Sequence, residues 1–266
     1  MIKARQALGA HNARFAHRSR NCRHRRGGPT FFAFAMNAAL HTGPRPVDLI
    51  AFDWDGTLFD STALIARCIQ QAVRDVGGTP PDEQQARWVI GMELGSALAR
   101  AAPDVPPSAY AELARRYRYY YVQQQDEIVL FDGALELLHD LKARGFLLAV
   151  ATGKSRRGLD HVLASHDLHG LFDDSRTADE TAGKPNPLML QELMQVHDVA
   201  PARLLMIGDT SHDLEMARNA GCPSVGVTYG AHAGDGLQQF APLAVADSVA
   251  MLRQWLEQHA EPGRRP

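Results

Sequence analysis

Cysteine and long apolar runs are both scarce in this sequence. The three cysteines, at positions 22, 68 and 222, are too few and too scattered for a disulfide framework or a cysteine-based metal site. No apolar run reaches the roughly eighteen residues of a membrane-spanning helix. Hydrophobic residues nevertheless make up 45% of the 266 positions, so the chain can bury a full core. A wholly disordered, collagen-like or disulfide-stapled protein is excluded.

Acidic residues are absent from the first 47 positions, which carry nine Lys and Arg. The whole chain has 28 basic and 30 acidic residues, so the remainder carries 19 basic and 30 acidic residues, a balance of −11. Such an acidic body is unsuited to general nucleic-acid binding, because the phosphate backbone attracts positive charge. The basic segment and the acidic body are therefore treated as separate parts.

Residues 1–46 show no regular apolar period, and we expect them to form a disordered basic extension translated from upstream of a start at Met36. Three other interpretations stay open. The segment is arginine-rich and free of acids, as in a targeting peptide, and Arg25-Arg26 before a short apolar run is a faint twin-arginine signal. Its charge would also suit a basic arm for nucleic acid.

Short apolar runs alternate with helical patterns after this segment. The runs indicate buried strands, at 47–52, 146–151, 203–208 and 223–228. Leucine and other apolar residues at helical spacing indicate helices between them, at 134–144, 188–196 and 213–220. Alternating strands and helices predict an α/β fold, with a doubly wound, parallel-sheet, Rossmann-like core.

One long stretch breaks this alternation, because residues 61–130 contain helical patterns and no convincing strand. They are interpreted as an inserted α-helical cap subdomain. The predicted division is a core of residues 47–60 and 131–258, the cap, and a tail of residues 259–266.

Two acids follow the first predicted strand, in the segment Phe52-Asp53-Trp54-Asp55-Gly56-Thr57. In open α/β sheets, ligands bind at the carboxyl ends of the strands. Asp53 and Asp55 are close enough to repel each other unless a cation or a shared proton intervenes, and this favours an oxygen-ligated metal, Mg²⁺ above all. The alternative is an acidic turn in which the side chains cap the backbone.

A hydroxyl and a lysine follow in two further segments. Thr152 and Gly153 come directly after the second strand, where a hydroxyl and free backbone N–H groups suit an anionic oxygen; an ordinary helix cap is the alternative. Lys184 is held between Gly183 and Pro185, and a lysine presented in this way can pair with phosphate as a point charge. A solvated loop lysine is the alternative.

A second pair of acids follows the third strand. Asp209 lies at its end and Asp213 enters the next helix, so both can point into the same crevice. An acidic helix start, favoured by the helix dipole, is the alternative. His212 lies beside them, but we do not expect it to be a ligand because Mg²⁺ prefers oxygen.

Together these four segments resemble the phosphatases of the haloacid dehalogenase superfamily. The helical insertion resembles that of the helical-cap group, which includes phosphoglycolate phosphatase. The resemblance covers about residues 47–258 and is specific for the superfamily, but only weakly so for the substrate.

The resemblance implies a role for each position. Asp53 would be the nucleophile and a metal ligand, and Asp55 the general acid/base with its main-chain carbonyl on the metal. Asp209 would ligate Mg²⁺, and Asp213 would support the metal directly or through water.

The resemblance also implies a site for the phosphoryl group. Thr152 and Lys184 would hold this group, and Gly153 would belong to the same phosphate-binding site. The implied enzyme is a phosphoric monoester hydrolase that acts on a small phosphorylated metabolite, 2-phosphoglycolate or a sugar phosphate. We expect a cytoplasmic monomer or homodimer without nucleic-acid or membrane partners. The alternatives are a phosphosugar mutase and a non-catalytic or receiver-like regulator that responds to phosphorylation.

The predicted cap contains two groups of residues that could contact a ligand. Five of the six tyrosines lie within residues 110–121, where we expect them to pack helices or to contact the core rather than stack on nucleic acid. Arg87 and Arg100 could meet an anionic substrate, although a solvated helix face is the preferred interpretation for either.

A chain that begins at Met36 is predicted to keep the thermal midpoint and kcat/KM of the full chain at physiological salt. Every motif lies after Val47, and attraction between an exposed basic segment and the acidic body is weak and screened by salt. A large loss of either quantity would show that the first 35 residues belong to the fold.

Overall fold

A six-stranded parallel sheet forms the centre of the protein, whose computed structural model describes residues 44–166, 168 and 170–263. The expectations for residues 1–43 lie outside the described residues. The described strands are β1 (Arg45–Val47), β2 (Leu49–Phe52), β3 (Leu147–Thr152), β4 (Asp174–Thr177), β5 (Leu204–Gly208), β6 (Ser224–Val227), β7 (Ala244–Ala246) and β8 (Ala260–Pro262). The central sheet has the order β4-β3-β2-β5-β6-β7.

Among the described residues, five α-helices lie between β2 and β3, four of them in the cap region, and five more follow β3. In the cap region they are α1 (Thr62–Asp75), α2 (Glu83–Trp88), α3 (Leu94–Ala101) and α4 (Tyr110–Gln124). Around the sheet they are α5 (Ala134–Ala143), α6 (Arg156–Ser165), α7 (Leu188–His197), α8 (Ser211–Ala220), α9 (Gly234–Gln238) and α10 (Val249–His259). None of these described helices combines the length and the apolar character needed to cross a lipid bilayer.

Apolar side chains cover both faces of the sheet, as strand periodicity requires. Along β2, Ile50 and Phe52 pack on one face with α5 and α10, whereas Leu49 and Ala51 pack on the other with α7 and α8. Because both faces of β2 are buried, its sequence is an uninterrupted run of apolar residues. The predicted doubly wound α/β class is confirmed.

The cap helices have an apolar core of their own. It is built around Ile69 and Val73 of α1, Leu98 of α3 and Leu113 of α4, all of which are buried. The apolar stripe of each short helix is thus covered by another cap helix. This arrangement lets the insertion pack as a unit above the sheet.

The sheet order places a crevice beside β2. The chain runs from β2 outward through β3 to β4, and then returns to the other side of β2 as β5. Such a switch in direction opens a gap at the carboxyl ends of the strands, where ligands bind in this class of fold. Phe52 pairs with Val150 of β3 and Ile207 of β5, so Asp53 leaves the sheet at this point.

Both ends of the predicted core need correction. Residues 259–266 are predicted to form a tail, and residue 46 is predicted to end the extension. The structure instead pairs β1 with β8, and Gly263 donates a backbone hydrogen bond to Val47. Three-residue strands show no periodicity in a sequence, and the same applies to β7. The edge strand β4 was also missed, because its sequence Asp-Ser-Arg-Thr has no apolar alternation.

Candidate active site

The sequence-predicted site residues come together at the carboxyl edge of the sheet. Asp53 follows β2, Thr152 ends β3 and Asp209 follows β5, while Asp213 lies in the first turn of α8. Lys184 reaches the same place from the loop before α7. All five side chains are buried, which is unusual for the four charged groups among them and requires partners for these groups.

Lys184 is the cation at the centre of this cluster. Its Nζ lies 2.7 Å from Oδ1 of Asp53 and 2.6 Å from Oδ1 of Asp213. Burial alone would lower the pKa of Lys184, but the nearby carboxylates of Asp213 and Asp53 outweigh burial and raise it. Lys184 is therefore charged at neutral pH, and it is not the solvated loop lysine considered as the alternative.

The three buried acids can share one cation. Asp53, Asp209 and Asp213 each offer a carboxylate oxygen, and these oxygens lie within 4.8 Å of one another. With all three ionised and Lys184 protonated, the cluster carries a net charge of −2, which a divalent cation would neutralise. Within the described part of the chain, Oδ2 of Asp53 has no hydrogen-bond donor. Hard oxygen donors with an excess of negative charge fit Mg²⁺ or a similar ion.

Two acids of the cluster, Asp53 and Asp209, resist ionisation when no cation is present. Burial, followed by the charge of Asp213, raises the pKa of Asp53 well above its usual range. The same two causes raise the pKa of Asp209 to about 7. Perturbed carboxyl groups of this kind are typical of functional sites, because folding alone gains nothing by burying them together.

The turn after β2 is built around Asp209. Oγ1 of Thr57 donates to Oδ1 of Asp209 at 2.8 Å, and the backbone N–H of Ala231 donates to Oδ2 at 2.7 Å. Gly56 has a φ of +85°, and a Cβ at this position would collide with the Asp209 carboxylate. The glycine of the motif is therefore required both by backbone conformation and by space.

Asp213 has two functions within the fold. Its Oδ2 accepts hydrogen bonds from the backbone N–H and the hydroxyl of Thr210, at 3.0 and 2.6 Å, and so forms the capping box of α8. Its Oδ1 faces Lys184. The helix-start interpretation and the site interpretation of this acid are therefore compatible, since one oxygen serves each.

Asp55 occupies a different environment from the other acids. Its Oδ1 accepts a hydrogen bond from Ser61 at 2.7 Å, and its Oδ2 lies 3.0 Å from Nζ of Lys154. Lys154 also donates to the hydroxyl of Tyr121 on cap helix α4, at 2.8 Å. A chain of contacts thus connects the cap to Asp55.

Lys154 is a residue of the site that the motifs alone do not identify. One feature of the sequence does point to it. Lys154 lies two residues after Thr152, in the turn that follows β3, and this turn is at the same edge of the sheet as the other site residues. Only the structure shows that Asp55, nearly a hundred positions earlier, is its partner.

Gly153 lies directly beneath the cap. A Cβ at this position would lie 2.5 Å from the carbonyl oxygen of Met92 and 2.6 Å from that of Gly91. Gly91 itself approaches Asp53, since its own Cβ would be 3.7 Å from Oδ2 of that acid. The loop between α2 and α3 therefore covers the crevice, and its close approach requires a glycine below it.

A second contact between cap and core involves two histidines. Nε2 of His212 and Nε2 of His232 each lie 2.9 Å from the carbonyl oxygen of Trp88, at the end of α2. The ring of Trp88 also carries the guanidinium of Arg100, 3.9 Å from its centre. His212 is thus used to hold the cap, and Arg100 packs on an aromatic ring.

The other cap residues considered from sequence have structural partners. Arg87 contacts Glu83 at 3.0 Å and the hydroxyl of Thr62 at 3.1 Å. Tyr117 and Tyr121 pack against apolar clusters of both cap and core, whereas Tyr119 is 53% exposed.

Comparison with known proteins agrees with this geometry. The family model described as haloacid dehalogenase-like hydrolase matches residues 50–227. The phosphoglycolate phosphatase of Vibrio vulnificus strain CMCP6 is 35% identical over 215 residues, which cover 77% of this chain and 94% of that protein. The phosphoglycolate phosphatase of Thiobacillus denitrificans is 30% identical over 216 residues, covering 78% and 94%.

Solved structures show the same relationship. A crystal structure described as a predicted phosphoglycolate phosphatase from Haemophilus somnus 129pt superimposes with a TM-score of 0.70 at 27% identity, covering 78% of this chain and 97% of that one. The resemblance drawn from the motifs is confirmed. The chain belongs to the haloacid dehalogenase-like hydrolases, and within this family it is a phosphatase, an enzyme that hydrolyses phosphoric monoesters.

Proposed function

We propose that the protein is a Mg²⁺-dependent phosphatase that hydrolyses a small phosphate monoester through an aspartyl-phosphate on Asp53. The observation that carries the proposal is the buried ion pair of Asp53 with Lys184, next to an Asp53 oxygen that lacks a hydrogen-bond donor in the described structure. Several relatives are phosphoglycolate phosphatases, which makes 2-phosphoglycolate the first candidate substrate to assay, with sugar phosphates second.

We also propose which parts of the chain form the enzyme, what it acts on and where it works. The catalytic core, extended at its ends by β1 and β8, comprises residues 45–60 and 131–262, and residues 61–130 form the cap. The substrate is a small phosphorylated metabolite, and the enzyme is a cytoplasmic monomer or homodimer without nucleic-acid or membrane partners.

The metal would be held by oxygen atoms alone. The carboxylates of Asp53, Asp209 and Asp213 and the main-chain carbonyl of Asp55 are the proposed ligands, Asp213 directly or through water. When bound, Mg²⁺ would neutralise the acid cluster and polarise the phosphoryl group.

Asp53 attacks phosphorus with its unpaired carboxylate oxygen. Two anions repel, so the attack requires positive charge nearby, and Lys184 supplies it from within the protein. Lys184, the hydroxyl of Thr152 and the backbone N–H of Gly153 hold the phosphoryl oxygens. Because these groups are fixed by buried contacts, they need little rearrangement as charge moves during the reaction.

Asp55 moves the protons. In the first step the bond from Asp53 to phosphorus forms, the ester bond breaks, and Asp55 gives its proton to the leaving alcohol. In the second step water attacks phosphorus, loses a proton to Asp55, and releases phosphate from Asp53. Both groups return to their starting states. Ser61 and Lys154 hold the two carboxylate oxygens of Asp55, which fixes the position of the carboxyl group for proton transfer.

Asp53→Asn is predicted to abolish phosphate release from 2-phosphoglycolate and from p-nitrophenyl phosphate without unfolding the protein. The amide has nearly the shape of the carboxylate but is not a nucleophile. Asp60→Asn is the matched control, because Asp60 is exposed and lies in the same turn region. Turnover in a folded Asp53→Asn variant would contradict the mechanism, and return of the phosphoryl group to a sugar without free phosphate would identify a mutase.

Asp55→Asn is predicted to lower kcat by roughly 10²–10⁴-fold, the usual contribution of general acid–base catalysis. The main-chain carbonyl is unchanged, so metal binding should survive. The loss should be smaller for the burst of p-nitrophenol, which leaves without needing a proton, than for an alkyl ester. Equal losses for both esters would show that Asp55 does not protonate the leaving group.

Mg²⁺ is predicted to raise the thermal midpoint more at about pH 8 than at about pH 5. Without metal, Asp209 has a pKa of about 7, above its unfolded value, so the folded state holds extra protons between these values. The free energy of unfolding therefore falls as pH rises through this window, and a cation that binds the ionised cluster restores it. Asp209→Asn should reduce the Mg²⁺ effect, and an equal effect at both pH values would contradict the account.

A further inference from the structure

A cavity of about 750 Å³ lies between cap and core. Asp55, Gly153 and Lys154 form part of its wall on the core side, so it opens onto the site where the alcohol leaves the phosphate. Its volume lies within the range of roughly 300–1,000 Å³ that is typical of pockets for whole organic ligands. The glycolate of 2-phosphoglycolate has two carbon atoms and would leave most of this space to water.

The cap side of the cavity is apolar. Its aliphatic residues come from α1 (Ile65 and Ile69), the α2–α3 loop (Val89 and Ile90) and α3 (Leu94 and Ala97), and α4 adds Val122 and the rings of Tyr117 and Tyr121. Apolar walls of this kind favour a ligand whose own apolar surface leaves water on binding. Apolar side chains offer no hydrogen bond to the hydroxyl groups of a sugar.

The polar groups of the cavity wall are mostly occupied by protein partners. Glu93 accepts hydrogen bonds from the backbone of Gly95 and Ser96 at 2.7 and 2.9 Å, which caps α3. Asp179 accepts from the backbone of Arg156 at 2.9 Å and from Thr177 at 2.8 Å. Both oxygens of Glu93 are engaged, which makes it a poor partner for a substrate hydroxyl group, whereas Asp179 uses only Oδ1 and is exposed at the edge of the cavity.

Gln125 and His161, which also line the cavity, pair with each other. Nε2 of Gln125 lies 3.0 Å from Nε2 of His161. Lys154 is shared between Asp55 and Tyr121. Arg118 and Arg157 also line the cavity, but both residues are exposed. Exposed cations attract an anionic ester as it approaches, and they do not distinguish one alcohol from another.

We propose that the preferred substrates are phosphate monoesters of alcohols with an apolar body of ring size, which fills the space under the cap while the phosphate reaches Asp53. The inference rests on the proposed phosphatase function and, on the evidence of the cavity, places esters of such alcohols ahead of 2-phosphoglycolate and sugar phosphates as substrates. The apolar wall recognises the body of the alcohol, and the catalytic groups act only on the phosphate and the ester oxygen. A polyhydroxylated alcohol of the same shape would lose hydrogen bonds to water and find few free partners.

The test compares two esters of matched shape, cyclohexylmethyl phosphate and glucose 6-phosphate, with 2-phosphoglycolate as the small reference. All three release an alkyl alcohol, which keeps the chemistry similar. The wild-type enzyme should show kcat/KM roughly tenfold or more higher for the cyclohexylmethyl ester than for glucose 6-phosphate, as expected when several methylene groups are buried. A preference for glucose 6-phosphate or 2-phosphoglycolate would overturn the proposal.

Two variants test whether this cavity is responsible. Ala97→Leu fills part of it and should reduce the preference for the cyclohexylmethyl ester while sparing 2-phosphoglycolate. Val122→Gln places a polar group on the wall at a position that is 58% exposed, so folding is not at risk. Val129→Gln is its control, because Val129 is 62% exposed and is not among the residues lining the cavity.

The outcomes separate the two proposals. A ratio of the two kcat/KM values that falls in Ala97→Leu and Val122→Gln but not in Val129→Gln supports the apolar substrate class. A ratio unchanged in both cavity variants overturns it, even if phosphate is released. If p-nitrophenyl phosphate is not hydrolysed by the wild type either, the phosphatase mechanism itself fails, and the substrate class falls with it.

Discussion

The ion pairs of Lys184 are the interaction on which the site depends. A single buried ammonium group lies within hydrogen-bonding distance of Asp53 and Asp213, and the third acid of the cluster, Asp209, lies close to both. Removing one partner of such a network leaves a buried charge without compensation, which costs several kcal/mol. The strand ends that carry these side chains are therefore held in register by electrostatics as well as by the sheet.

The ion pair with Lys184 also distinguishes Asp53 from Asp55, the second acid of the first motif. Asp53 faces the lysine and the acid cluster, whereas Asp55 faces Ser61 and Lys154. Residues two apart in sequence thus have different partners, because β2 ends at Phe52 and the chain leaves the regular strand conformation directly after it. Different environments for neighbouring carboxyl groups are the usual means by which one acts as nucleophile and the other as acid.

Much of this arrangement could be predicted from sequence, because apolar runs ending in Asp53, Thr152 and Asp209 mark the carboxyl edge of a parallel sheet. Local pattern does not report contacts between distant positions, so the partner of Lys154 could not be foreseen. The strand that ends at Thr177 was missed because an edge strand of polar residues has no apolar period. The cavity could not be predicted either. Residues that line it, such as Ile65, have the same apolar spacing in the sequence as residues of a helix core.

The central claim is that Asp53 forms a covalent bond to the phosphoryl group during turnover. The most direct measurement is mass spectrometry of enzyme quenched in acid while it hydrolyses a phosphate ester in the presence of Mg²⁺, followed by peptide mapping. The account predicts the added mass of one phosphoryl group on the peptide that contains Asp53, and its loss when the quench follows exhaustion of the substrate. Phosphate release from an enzyme that never carries this adduct, or an adduct on another residue, would contradict the account.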